Sequence, residues 1–172
     1  VEAVELITAY LNTGSLYARG NVTTASKGSK TSRSGSQNSI FNTRDPIYGS
    51  SVEFRYDDDA KMARYIGKGT ALAQVQQGCC NIVRAEQVDY FSERQDLIAK
   101  GQVDSRFDIV PSASDGKSQK TAAGKYRAKG NTLLYTEKTR TAKYAGSASH
   151  ESDEGTTTAE AMELVLAQEA RT

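Results

Sequence analysis

Apolar side chains recur along this chain in short bursts separated by long polar stretches. Over residues 1–12, Val4, Ile7 and Leu11 fall at three- and four-residue spacing, the period of one helix face, and Asn12 and Gly14 supply a stop. Residues 13–51 break the pattern. Nineteen of these 39 are Ser, Thr or Gly, and from Arg19 to Arg44 there are five basic residues and no acidic one. Such a segment cannot offset its ordering entropy by its own burial, and it reads as an extended arm laid along a partner.

The centre, residues 52–110, reads as helical. Asp57, Asp58 and Asp59 precede the segment 60–66 as caps, and a second helix is expected from Thr70 to Lys100, broken at Gly78 and closed by Gly101. Val75, Ile82, Val83, Val88, Phe91, Leu97 and Ile98 are its buriable side chains. Residues 111–157 return to Ser, Lys, Gly and Ala as a second basic arm and loop, in which Asn131–Tyr135 is a candidate strand. Residues 158–172 read as a terminal helix, with Thr158 as cap, Glu160 beside it, and Met162, Val165 and Leu166 on the apolar face. The expected fold is mainly α, with long irregular extended arms and no large independent core.

Composition sharpens this picture. Leu, Ile, Val and Phe total 30 of 172 residues and Trp is absent, below the rough one-fifth mark at which a chain struggles to bury its own core. The net charge is only +1. A chain short of both apolar residues and net charge is expected to fold against something else, and alone to be largely unfolded in water. No run of about eighteen apolar residues marks a membrane span. The chain starts at Val1 without Met, which reads as a leader already removed.

Tyr65-x-x-Lys68-Gly69 recurs as Tyr126-x-x-Lys129-Gly130, and Tyr17-Ala18-Arg19-Gly20 is a looser third copy. If the repetition is structural, the chain has two similar halves. Several of the nine tyrosines stand beside basic residues, a mixture that suits a protein interface and also single strands of nucleic acid. Near-zero net charge argues against phosphate-driven binding. Tyr17, Tyr65, Lys68, Tyr126 and Lys129 are therefore the candidate interface residues.

Cys79 and Cys80 are the other specific feature. Adjacent cysteines rarely bond each other, and on a helix their side chains diverge by about 100 degrees, leaving one to the core and one exposed. An exposed thiolate can add to an unsaturated carbon and form a thioether, and Arg84, one helical turn away, can favour the thiolate. One His and two Cys barely supply a zinc ligand set, and the lone His150 sits in a polar acidic stretch. Gly67-Lys68-Gly69-Thr70 lacks the first glycine of a phosphate loop, since Met62 stands there, and reads as a helix-entry turn. Asp57 to Asp59 lack the spaced ligands of a calcium loop. Asn21-Val22-Thr23 fits a glycosylation sequon that matters only in a secreted setting. No nucleophile, base and oxyanion donor can be placed together, so no enzyme is expected.

Cys79 and Cys80, the paired Tyr-x-x-Lys-Gly segments and the two basic Ser/Gly arms together resemble the linker polypeptides of phycobilisomes, in particular the gamma subunits of red-algal phycoerythrin. The likeness is one of style over most of the chain. It departs in having one adjacent cysteine pair rather than several separated cysteines. The resemblance implies a non-enzymatic scaffold that organises phycobiliprotein hexamers in a light-harvesting antenna, on the stromal face of the chloroplast thylakoid membrane. Its implied partners are phycobiliprotein alpha and beta subunits and other linkers. The implied cofactor is a covalent bilin, an open-chain tetrapyrrole on Cys79 or Cys80, with Arg84 assisting and Asp89 or Glu86 against the pyrrole nitrogens. The alternatives are a colourless structural subunit of another large complex and a single-stranded nucleic-acid-binding module.

Overall fold

The computed structural model describes residues 1–27, 40–41, 45–109, 124–153 and 155–165. Among them there is no helix. Eleven strands form one antiparallel sheet: β1 (Leu6–Tyr10), β2 (Ser15–Ala25), β3 (Ile47–Asp57), β4 (Met62–Ile66), β5 (Ala73–Gln77), β6 (Asn81–Ala85), β7 (Gln87–Phe91), β8 (Asp96–Ile109), β9 (Gly124–Thr136), β10 (Thr141–Ser152) and β11 (Gly155–Val165). The expected mainly α fold without a large core is therefore corrected to an all-β fold with a continuous core. Strands replace the expected helices over 1–12, the centre and the start of 158–172, whose remaining residues lie outside the described ones. Within the two expected arms stand β2, the start of β3, all of β9 and β10, and the start of β11. The expected strand at Asn131–Tyr135 is the second half of β9.

The alternation that builds these strands is visible once read at period two. Along Ala73-Gln74-Val75-Gln76-Gln77, residues 73, 75 and 77 are buried and the Gln side chains between them are half-buried. The helical reading failed because Val75 and Ile82 stand seven residues apart, the spacing of one helix face, although a hairpin turn separates them. Of the three aspartates one does cap, but it caps a turn. Asp57 accepts from the backbone N–H of Ala60 (3.0 Å), and Asp58 holds the Lys61 ammonium (2.8 Å). Gly67 to Thr70 form the β4–β5 connection instead of opening a helix, and Gly78 is the tip of the β5–β6 hairpin.

One crease crosses the sheet. In β2, β8 and β10 the register slips at a glycine followed by a second left-handed residue: Gly20-Asn21 (φ 83° and 45°), Gly101-Gln102 (76° and 50°) and Gly146-Ser147 (76° and 53°). Each pair opposes a single residue on a neighbouring strand, which defines a β-bulge. Gly101, expected to end a helix, carries one of these bulges. Between them the same line runs through the 67–72 connection and Glu86, where the Gly67 amide donates to the Glu86 carbonyl and the Glu86 amide to the Gly101 carbonyl (both 2.8 Å). The third sequence repeat, Tyr17-Ala18-Arg19-Gly20, ends on this crease, and Tyr126-x-x-Lys129-Gly130 reaches it opposite the β10 bulge.

The crease divides the sheet into two half-sheets that close face to face. Residues 15–19, 53–57, 62–66, 87–91, 96–100, 132–136 and 141–145 belong to the first, and 22–25, 47–51, 73–77, 81–85, 103–109, 124–130 and 148–152 to the second. Tyr65 of the first reaches Thr24 of the second (2.9 Å), and Tyr144 of the first reaches Ser105 of the second (2.7 Å). The core between them is rich in small and ring side chains: Ala18, Ala73, Ala85, Ala99, Ala128, Ala142 and Ala148, with Tyr65, Tyr90, Tyr135 and Tyr144, complete what Val, Leu and Phe begin.

Candidate functional site

At the far end of the second half-sheet, the β5–β6 hairpin closes on Gln77 and Asn81 and leaves Gly78-Cys79-Cys80 as a three-residue tip. Gly78 takes φ 62°, a left-handed turn residue with open space about its Cα. The tip is anchored through Asn81, whose amide donates to the Ile40 carbonyl (2.8 Å) and whose oxygen accepts from the Asp108 N–H (3.0 Å). Cys79 and Cys80 are joined in a disulfide. The expectation that they stay unbonded rested on a helix, where neighbouring side chains diverge; a tight hairpin tip brings them together. A thioether to a bilin needs one of these sulfurs as a thiolate, and here each is bonded to the other.

The hairpin tip overhangs the ends of β8, β9 and β10, and between them lies a cleft of about 460 Å³. Cross-strand register explains its lining. Ile82, Arg106, Arg127 and Glu151 are direct neighbours across β6, β8, β9 and β10, so their side chains share one face. Asp108 and Lys125 form the next outward pair of β8 and β9. Tyr126 contributes its ring, stacked on His150 at 5.5 Å and 16°. The His150 Nε2 is buried and makes no hydrogen bond.

Arg127 is committed to a carboxylate. Its Nε and Nη2 donate to the two oxygens of Asp104 at 3.0 and 2.6 Å, and this paired hydrogen bond holds the Asp104 carboxyl below its ordinary pKa. Among the described residues, the side chains of Arg106, Lys125, Asp108, Glu151 and Asp153 form no hydrogen bond or close ion pair, though Arg106 acts electrostatically on Asp104 and Glu151 on Arg127.

The sequence candidates divide. Cys79, Cys80 and Tyr126 line this cleft. Arg84 and Lys129 flank it one row along, facing Asp104 from β6 and β9. Arg84 lies in a strand, so it stands roughly 13 Å from Cys80 rather than one helical turn away, and it donates to Gln74 (2.7 Å). Tyr65 is buried in the chain's own core rather than against a partner, packed on Phe54 with its ring 5.0 Å away. Tyr17 lies on β2 beneath the Arg55 guanidinium (5.5 Å), and Lys68 is exposed in the β4–β5 connection; neither is near the cleft. Asp89, offered as a pyrrole partner, is held instead by Arg64 (2.8 and 2.9 Å). Sequence reasoning missed Arg106, Asp108, Glu151 and Asp153 as site residues; the alternation Asp104-Ser105-Arg106-Phe107-Asp108 was the signal for the first two, and nothing in the sequence tied Glu151 and Asp153 to them.

Among the described residues, no cluster of three or more His, Cys, Asp or Glu is placed to hold a metal ion. No helix is long and apolar enough to cross a membrane. No protein-family model matches the chain, and no curated protein matches it in sequence.

Proposed function

We propose that this protein is a non-catalytic structural subunit that extends into larger assemblies by adding strands to its free sheet edges. This reading is carried by one observation: among the described residues, β1 and β11 end the sheet with no strand on their outer sides. An unpaired edge is a row of backbone donors and acceptors ready for another strand, and proteins that stay single usually blunt it with charges or proline. The β1 edge, Leu6-Ile7-Thr8-Ala9-Tyr10, carries neither, and it exposes Leu6, Ile7 and Tyr10. β11 offers eleven residues with two charges, Glu160 and Glu163, the latter paired with Lys143 (3.4 Å). The two edges differ, so pairing β1 of one copy with β11 of the next is head-to-tail and open-ended.

The test is sedimentation of the purified chain over a wide concentration range. Wild type is expected to form a concentration-dependent series of assemblies, and Ile7→Lys with Thr8→Pro, which charges and blunts the β1 edge, is expected to stop at the monomer. A wild type that is monomeric at every concentration overturns the reading.

A further inference from the structure

Five ionisable side chains line one cleft without a hydrogen-bonded or closely ion-paired partner among the described residues, and the sign of their charges alternates. Arg106 and Lys125 are cations; Asp108, Glu151 and Asp153 are anions. The register interleaves them: Asp108 lies opposite Lys125, and Glu151 sits across Arg127 from Arg106. An anionic ligand is repelled by the carboxylates and a cationic ligand by Arg106 and Lys125, so neither gains a net field. A zwitterion needs charges gathered at two poles, which this interleaving does not provide. The ligand that satisfies alternating donors and acceptors is a neutral one with hydroxyls around its rim, each able to donate to a carboxylate and accept from a guanidinium or ammonium.

The remaining wall is apolar. The Cys79–Cys80 disulfide has no strong donor or acceptor, and the Tyr126 ring and Ile82 line the cleft with it. A ring whose C–H groups pack on sulfur and an aromatic while its hydroxyls point to charged side chains is a sugar. The volume, about 460 Å³, lies in the range of small-molecule sites. We infer that the cleft beneath the β5–β6 hairpin tip binds a neutral carbohydrate, with the disulfide and Tyr126 as its platform and Arg106, Asp108 and Glu151 as its hydroxyl partners. This inference does not depend on edge assembly, since neither β1 nor β11 contributes a residue to the cleft lining.

The experiment is a calorimetric titration of the full chain with maltose, cellobiose and lactose, with inorganic phosphate and glycine betaine as ionic and zwitterionic probes. Saturable binding of at least one disaccharide is expected, weakened about tenfold or more by Arg106→Met and by Tyr126→Ala. Arg106 is exposed and unpaired, so its variant is expected to fold as wild type and keeps the test valid if Tyr126→Ala unfolds. Opening the disulfide with a dithiol, which takes up the two electrons' worth of oxidation as its own cyclic disulfide, is expected to weaken binding to a similar degree. No binding by any of the three sugars overturns the site. Binding of phosphate or betaine that depends on Arg106 while the sugars fail overturns the ligand class, and undiminished sugar affinity after reduction overturns the disulfide platform.

Discussion

The hydroxyl of Tyr144 and the hydroxyl of Ser105 lie 2.7 Å apart in the buried interior, one from each half-sheet. Ser105 also meets the Ala128 carbonyl at 2.9 Å, so it donates there and accepts from Tyr144. Burial pushes the Tyr144 phenol well above its ordinary pKa, so it stays a donor throughout the usual range. The pair is unequal. Ser105→Ala leaves a buried phenol unsatisfied and is expected to cost about 1–3 kcal/mol, whereas Tyr144→Phe leaves Ser105 its carbonyl and is expected to cost about 1 kcal/mol. Urea denaturation of both variants checks the order; a larger loss in Tyr144→Phe contradicts the assignment.

Gly49 is required by a close approach rather than by its backbone angles. A methyl group there meets the Tyr65 ring and the Thr24 hydroxyl. Gly49→Ala is expected to destabilise by about 1–3 kcal/mol, as overpacking does, and Tyr65→Leu in the same chain is expected to recover part of that loss. Thermal melting of the two single variants and the double variant measures the coupling. Strict additivity would remove the contact from the account.

The Asp104–Arg127 pair makes stability depend on acid. Its paired hydrogen bond lowers the Asp104 pKa in the folded state below the ordinary 3.8, so the unfolded chain takes up that proton first as pH falls. The contribution is present above the unfolded value and is lost as pH drops through the folded one. Wild type is expected to exceed Asp104→Asn in stability at neutral pH, and the gap is expected to close below about pH 3.8. Melting curves of both proteins from neutral pH into acid test this; a gap that widens in acid reverses the sign.

Far-ultraviolet circular dichroism of the purified chain is expected to show antiparallel sheet and a cooperative transition. The expectation of a chain largely unfolded by itself came from counting Leu, Ile, Val and Phe. That count misses how this core is filled. Seven alanines and four tyrosines are buried in it, and Tyr65 and Tyr144 place their hydroxyls on partners in the opposite half-sheet. A helical or structureless spectrum would return the question to the sequence reading.

What could be read in advance was local. Asn131–Tyr135, dense in Leu and Tyr, pairs with both β8 and β10. The Tyr-x-x-Lys-Gly repetition marked places where strands meet the crease. The end of the chain misled most: Ala, Glu, Met and Leu from 159 to 164 are good helix formers, yet Met162 pairs with Tyr144 and Glu163 with Lys143 on β10. Intrinsic preference is worth tenths of a kcal/mol per residue, and a ready-made sheet edge outweighs it. The cleft was illegible for another reason. Its charges come from β8, β9, β10 and the turn after β10, and become neighbours only through a register that the β8 and β10 bulges set.

Each of the three bulges belongs to its own strand, so the alignment of β2, β8 and β10 is written into a two-residue unit of sequence. A design of that kind has no inherent strand number. A hairpin bearing its own glycine pair can be gained or lost at either end while the remaining strands keep their places, and such folds lengthen over evolutionary time as a ladder does, by rungs.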